Sequence, residues 1–218
     1  MHAHSLEYVY MKGYLMKRIL LLAVAAVLAL TLSSCAGSAM SFEDFNRSWN
    51  GISASITTYD QNGDLIDKVH GASLQVSLDE RFYTTTVNSD GSVSKEPGDV
   101  MLISIGNSHI SHVGSTMIWA QDGVTAVAGA DTTVDITSTK QGTPWLNNLR
   151  EYNRNLWKGK AKTLLIRSQD GKPIAVYAAS EVEVVGTAVP KSTMFRLDGK
   201  RLFVYRADYT MYDTDLLQ

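Results

Sequence analysis

The chain has 218 residues, 44% of them hydrophobic and 19% charged, with a formal net charge of −2 and one cysteine, Cys35. That is enough chain to bury a sizeable core without covalent staples, and a lone cysteine excludes an internal disulfide. A near-balanced, slightly acidic charge gives no basis for nucleic-acid binding, so no such partner is expected.

Residues 1–15, "MHAHSLEYVYMKGYL", fit neither a leader nor a domain and read as a start extension, with translation beginning at Met16 or, less simply, Met11. From Met16 the pattern is that of a signal peptide over 16–34. Lys17 and Arg18 form a basic region, Ile19–Leu30 carries no polar residue, and Ser33–Ser34 closes the apolar run short of the roughly 20 residues a membrane span needs. Leu32-Ser33-Ser34-Cys35 resembles a bacterial lipobox. The resemblance implies a diacylglyceryl thioether on Cys35, cleavage before it and acylation of the new terminus; more than one acyl chain is what stable anchoring needs. An ordinary cleavage site with a free thiol is the alternative. Without Lys12, Lys17, Arg18 and Glu7, the net charge falls to −4.

Residues 35–40 then form a short lipid-anchored tether and 41–218 a single domain. Ser41-Phe42-Glu43-Asp44 reads as a capping box opening a two-turn helix, with Phe42, Phe45 and Trp49 on one face. Beyond Trp49 the period changes to two: Ile52, Ala54 and Ile56 alternate with polar residues, as do Leu74, Val76 and Leu78. Asn62–Gly63 between them signals a two-residue hairpin. Asp-Gly pairs at 90–91, 122–123, 170–171 and 198–199 punctuate further β-rich runs. The spacing predicts antiparallel hairpins: a mainly β (α+β) domain curled into a barrel or sandwich.

One segment departs from this pattern. Thr143 and Pro144 suit a helix start, and Trp145, Leu149, Tyr152 and Leu156 recur at helical spacing up to Gly159. The sequence therefore predicts an amphipathic helix over 144–158 packed on the sheet by those four residues. Arg150, Arg154 and Lys158 form another face, continued by Lys160 and Lys162. They are candidates for contact with anionic lipid, set against the plainer reading of a solvated face with cations placed well for the helix dipole.

Catalytic motifs are sparse. Asp60, Asn62 and Asp64 occupy positions one, three and five of a calcium loop, but Leu65 and Gly71 stand where that loop needs Gly and Glu. His109 and His112 are weak metal or acid/base candidates, because a spacing of three within a strand puts them on opposite faces. There is no GxSxG, P-loop or GxGxxG. Asp79–Glu80 and Asp213/Asp215 suit surface charge. No cofactor is implied.

The segments "RSWNG", "TYDQNGDLIDKVHG", "HVGST", "LIRSQDGKPIAVYA", "VPKST" and "DGKRLFVYRADYTMYDTDLL" occur in order from Arg47 to Leu217. Together they resemble an uncharacterised family of small lipoproteins of Gram-positive bacteria, filed as a domain of unknown function. The resemblance implies attachment to the outer face of the cytoplasmic membrane and carries no catalytic residues. The Asp-Gly hairpins are also similar to tubby-like barrels, which wrap an apolar helix; the charged face of 144–158 argues for packing outside the sheet instead. The function expected is non-catalytic: a lipid-anchored envelope domain binding an unidentified protein or small molecule. The alternatives are an envelope hydrolase or metal-dependent enzyme using His109 and His112, and peripheral lipid binding through the basic helix.

Overall fold

The computed structural model describes residues 39–129, 145–152 and 154–217. The start extension, the expected signal peptide, Cys35 and the pair Thr143–Pro144 lie outside the described residues, as do the side chains of Trp145, Tyr152 and Leu156.

Helix α1 (Phe42–Trp49) starts where the capping pattern places it: the Asp44 N–H donates to Ser41 Oγ at 3.1 Å. Phe45 and Trp49 are fully buried. Asn46 fixes the helix to a neighbouring strand by accepting from the Val76 N–H (2.7 Å) and donating to the Val76 carbonyl (3.0 Å).

Strand β1 (Ser53–Tyr59) buries Ala54, Ile56 and Thr58, as its alternation requires. The expected hairpin to Leu74–Leu78 does not form. The chain turns through Asp60–Asp64 into β2 (Leu65–Ala72), an exposed edge strand paired with β1. The turn has five residues rather than two. Gly63 takes the left-handed conformation (φ 85°), Asn62 does not, and Asp60 accepts from the Asp64 N–H at 2.8 Å. Ser73, with φ 55°, then breaks the strand, so that β3 (Leu74–Leu78) enters another sheet.

The remaining strands are β4 (Thr84–Val87), β5 (Val93–Glu96), β6 (Met101–Ile105), β7 (Ser108–His112), β8 (Thr116–Gln121), β9 (Ala128–Gly129), β10 (Lys162–Arg167), β11 (Pro173–Ala179), β12 (Val182–Gly186), β13 (Ser192–Leu197), β14 (Lys200–Tyr205) and β15 (Asp208–Asp213). Three Asp-Gly pairs close hairpins: β4–β5, β10–β11 and β13–β14. In the last, Asp198 and Gly199 both have positive φ (48° and 81°), the two-residue turn that twist favours. Asp122–Gly123 closes no hairpin; the chain leaves β8 there and joins a different sheet at β9.

Four antiparallel sheets result, ordered β12-β13-β14-β8-β1-β2, β15-β10-β11-β9, β3-β6-β7 and β4-β5. The six-stranded sheet is covered on both faces. On one side Met117, Trp119, Phe203 and Tyr205 meet α1 and the β3–β6 strands. On the other, Ile118, Leu202 and Val204 meet Leu164, Ile166 and Tyr177 of the four-stranded sheet. That double burial is why β8 and β14 read as nearly continuous apolar runs. Ala39–Gln218 is one compact unit holding all three apolar clusters. Among the described residues no sheet closes on itself, so the mainly β, antiparallel character stands without a closed barrel.

The predicted 144–158 helix is shorter than its periodicity suggested. Helix α2 spans Trp145–Tyr152 and a tighter 3₁₀ turn follows over Arg154–Trp157. Leu149 is buried as expected, joined by Leu146 and Trp157, against Leu165, Val176 and Leu217 on the outer face of the four-stranded sheet. The change of period brings Trp157 inward, where its Nε1–H donates to Thr163 Oγ1 at 3.0 Å.

Candidate functional site

Arg206 and Lys191 flank the end of the β13–β14 pair, and both adopt left-handed backbone (φ 49° and 59°). Such conformations are strained for side chains of this size and concentrate at binding sites. The Arg206 N–H donates to the Lys191 carbonyl at 2.9 Å and Thr116 Oγ1 donates to the Arg206 carbonyl at 2.6 Å, which locks the corner. Their two cations converge on Asp99: Lys191 Nζ lies 2.6 Å and Arg206 Nη1 3.8 Å from its Oδ2. The hydrogen bond from Lys191 holds the Asp99 carboxyl below the usual carboxylate range.

Lys191 and Arg206 edge an open cleft of about 540 Å³ with Gln169, Thr187, Ser192 and Asp208 among its walls. Thr187 Oγ1 and Ser192 Oγ share a 2.6 Å hydrogen bond, and Ser192 Oγ also lies 2.8 Å from the Val189 carbonyl. The cleft thus presents hydroxyls, an amide and charges of both signs, a lining suited to holding a polar ligand. Neither strained residue was singled out in the sequence. Positive φ at a non-glycine residue leaves no compositional mark, so only the backbone reveals it.

The two histidines are not brought together. On β7, His112 turns inward with Ile110 while His109 is exposed. The His112 ring packs edge-on against Tyr205 at 5.7 Å, and its Nε2 lies 3.0 Å from the Ser115 carbonyl oxygen. Burial pushes its pKa below the ordinary histidine value, outweighing that hydrogen bond and the nearby Asp67 charge. His109 Nδ1 instead lies 3.1 Å from Ser104 Oγ, its cross-strand partner. No carboxylate is bonded to His109 among the described residues. No cluster of three metal-ligating side chains is found among them either.

The basic residues divide. Arg150 donates to the Leu217 carbonyl, Lys160 pairs with Asp198 at 2.7 Å and Lys162 pairs with Asp213. The Lys160 hydrogen bond, with the Glu181 and Ser180 N–H groups, holds the Asp198 carboxyl low. Arg154 and Lys158 are exposed, with no side-chain partner among the described residues. Together with Trp157 and Asp215 they line a second groove, of about 580 Å³. No described helix is long and apolar enough to cross a membrane.

The fold and clefts define a class: a layered, antiparallel β protein with open, charged surface clefts. Its family is a matter of sequence. Residues 17–217 match the family model described as Domain of unknown function (DUF5052), and the chain belongs to that family. No curated protein and no solved structure matches the chain.

Proposed function

We propose that this chain is a lipid-anchored extracytoplasmic envelope protein, whose domain binds a ligand or partner without catalysis at the outer face of the cytoplasmic membrane. The lipobox-like Leu32–Cys35 and the resemblance to Gram-positive lipoproteins support the address. One observation links address to site. The Met40 N–H donates to the Gly186 carbonyl and the Ala188 N–H donates to the Met40 carbonyl, both at 2.7 Å, so Met40 is clasped beside Thr187 of the cleft. Five residues from Cys35 to Met40 reach about 18 Å at most. A lipid on Cys35 would therefore hold the polar cleft close to the headgroups.

The test is fractionation of cells carrying the wild-type chain or Cys35→Ser. The wild type is expected in the membrane fraction with acyl label, and the variant is expected to be shed or to persist as precursor. Wild-type protein that takes up no acyl label would end the anchored reading. The Ser104–His109 hydrogen bond favours an envelope hydrolase as a second reading. Labelling by a fluorophosphonate probe, lost in Ser104→Ala, would establish it.

A further inference from the structure

We infer that the groove beside α2 binds anionic phospholipid headgroups and turns one edge of the domain toward the bilayer, an orientation that rests on the lipid-anchored reading. Of the five cations in this region, three are engaged within the protein: Arg150 on the Leu217 carbonyl, Lys160 on Asp198 and Lys162 on Asp213. Of these, Arg150 and Lys160 line the groove. Arg154 and Lys158 are left to face solvent from the 3₁₀ turn and the residue after it, with Asp215 as the carboxylate on the rim. An exposed pair of cations gains little by folding and is free to meet external phosphate, each worth about a fivefold change in affinity near an anionic surface.

Position points to a surface rather than a soluble anion. Gly159, beside Lys158, accepts from Ser180 Oγ at 3.2 Å, just ahead of β12. At the other end of β12, Gly186 holds Met40, the start of the tether. The contacts that hold the groove and the tether, at Ser180 and Gly186, thus lie at the two ends of one edge strand, at most roughly 20 Å apart. Along that strand Glu183 is neutralised by Arg196 at 2.9 Å, which lessens its repulsion from an anionic surface. A chain tethered at one end of β12 needs only weak attraction at the other to lie down, because tethering supplies the local concentration.

The experiment uses the compact unit Ala39–Gln218, which needs no lipid of its own. Its sedimentation is compared with vesicles of phosphatidylcholine alone and of equimolar phosphatidylcholine and phosphatidylglycerol, at low salt. Binding to the anionic vesicles only is expected, weakened roughly 30-fold in Arg154→Gln/Lys158→Gln. The double variant should melt like the wild type, since neither side chain has a partner among the described residues. Equal binding to both vesicles, or a double variant that binds as wild type, would overturn the inference. So would displacement by millimolar inorganic phosphate at constant ionic strength, which would assign the groove to a free anion. Vesicle binding is independent of Cys35, so its failure is distinct from failure of the anchored reading.

Discussion

The two eight-residue helices, α1 and α2, were built for different tasks. Helix α1 drives two aromatic side chains into the largest core. The Phe45 ring lies 4.9 Å from Phe203 and 5.7 Å from Trp119, and the Trp49 ring lies 5.6 Å from Trp119. Its exposed side is closed on itself, with Arg47 paired to both Glu43 and Asp44. Helix α2 buries smaller residues, Leu146 and Leu149, over the outermost sheet, and the exposed cations Arg154 and Lys158 follow it. One helix completes the core; the other covers it and carries charge outward.

Truncation should separate them. Phe45→Ala removes a ring that packs with Trp49, Trp119 and Phe203 and should cost about 3–5 kcal/mol, measured by urea unfolding. Leu149→Ala should cost toward 2 kcal/mol, because a side chain in the outermost layer lets its surroundings collapse more easily. If Leu149→Ala proves the costlier change, the division of labour between the helices is wrong.

The contrast was only half legible in the sequence. The Ser41 cap and the spacing of Phe45 and Trp49 identified α1 correctly because both are local signals. Alternation likewise identified β1 and β3, whose partners each lie on one face. The hairpin expected between them does not form, since one residue, Ser73 at positive φ, redirects the chain into another sheet and serine carries no warning of it. The α2 segment misled differently. Its apolar residues fit a continuous helix on paper, but the Nε1–H of Trp157 needs a partner when buried, and the tighter turn delivers it to Thr163. The cleft at Lys191 and Arg206 was invisible, because it depends on backbone conformation and on Asp99, distant in sequence.

A polar contact offers a finer comparison. Asn46 is the hinge pin of α1, spanning the N–H and carbonyl of Val76 on β3. Asn46→Ala would strip both backbone groups of their partner and should cost about 1–3 kcal/mol. Arg150→Ala, which leaves one backbone group, the Leu217 carbonyl, without its donor, should cost less than Asn46→Ala, which strips two, in the same urea titration. Equal costs would mean that α2 is pinned as firmly as α1.

The smallest effect concerns pH, and its sign follows from His112. Burial against Tyr205 lowers its folded-state pKa below the unfolded value near 6.5, so the folded state prefers the neutral ring. Its contribution is therefore complete above about pH 7 and is lost as pH falls through 6.5 toward the lower folded value, because the unfolded chain takes up the proton first. Asp79, Asp99 and Asp198 are held low by Arg81, Lys191 and Lys160 respectively. Their contributions are present above the ordinary aspartate value and fade only below about pH 4. Melting temperatures recorded between about pH 5 and 8 should decline on the acid side, and His112→Asn should flatten that decline. A slope unchanged in the variant would remove His112 as its source and place the titrating group elsewhere.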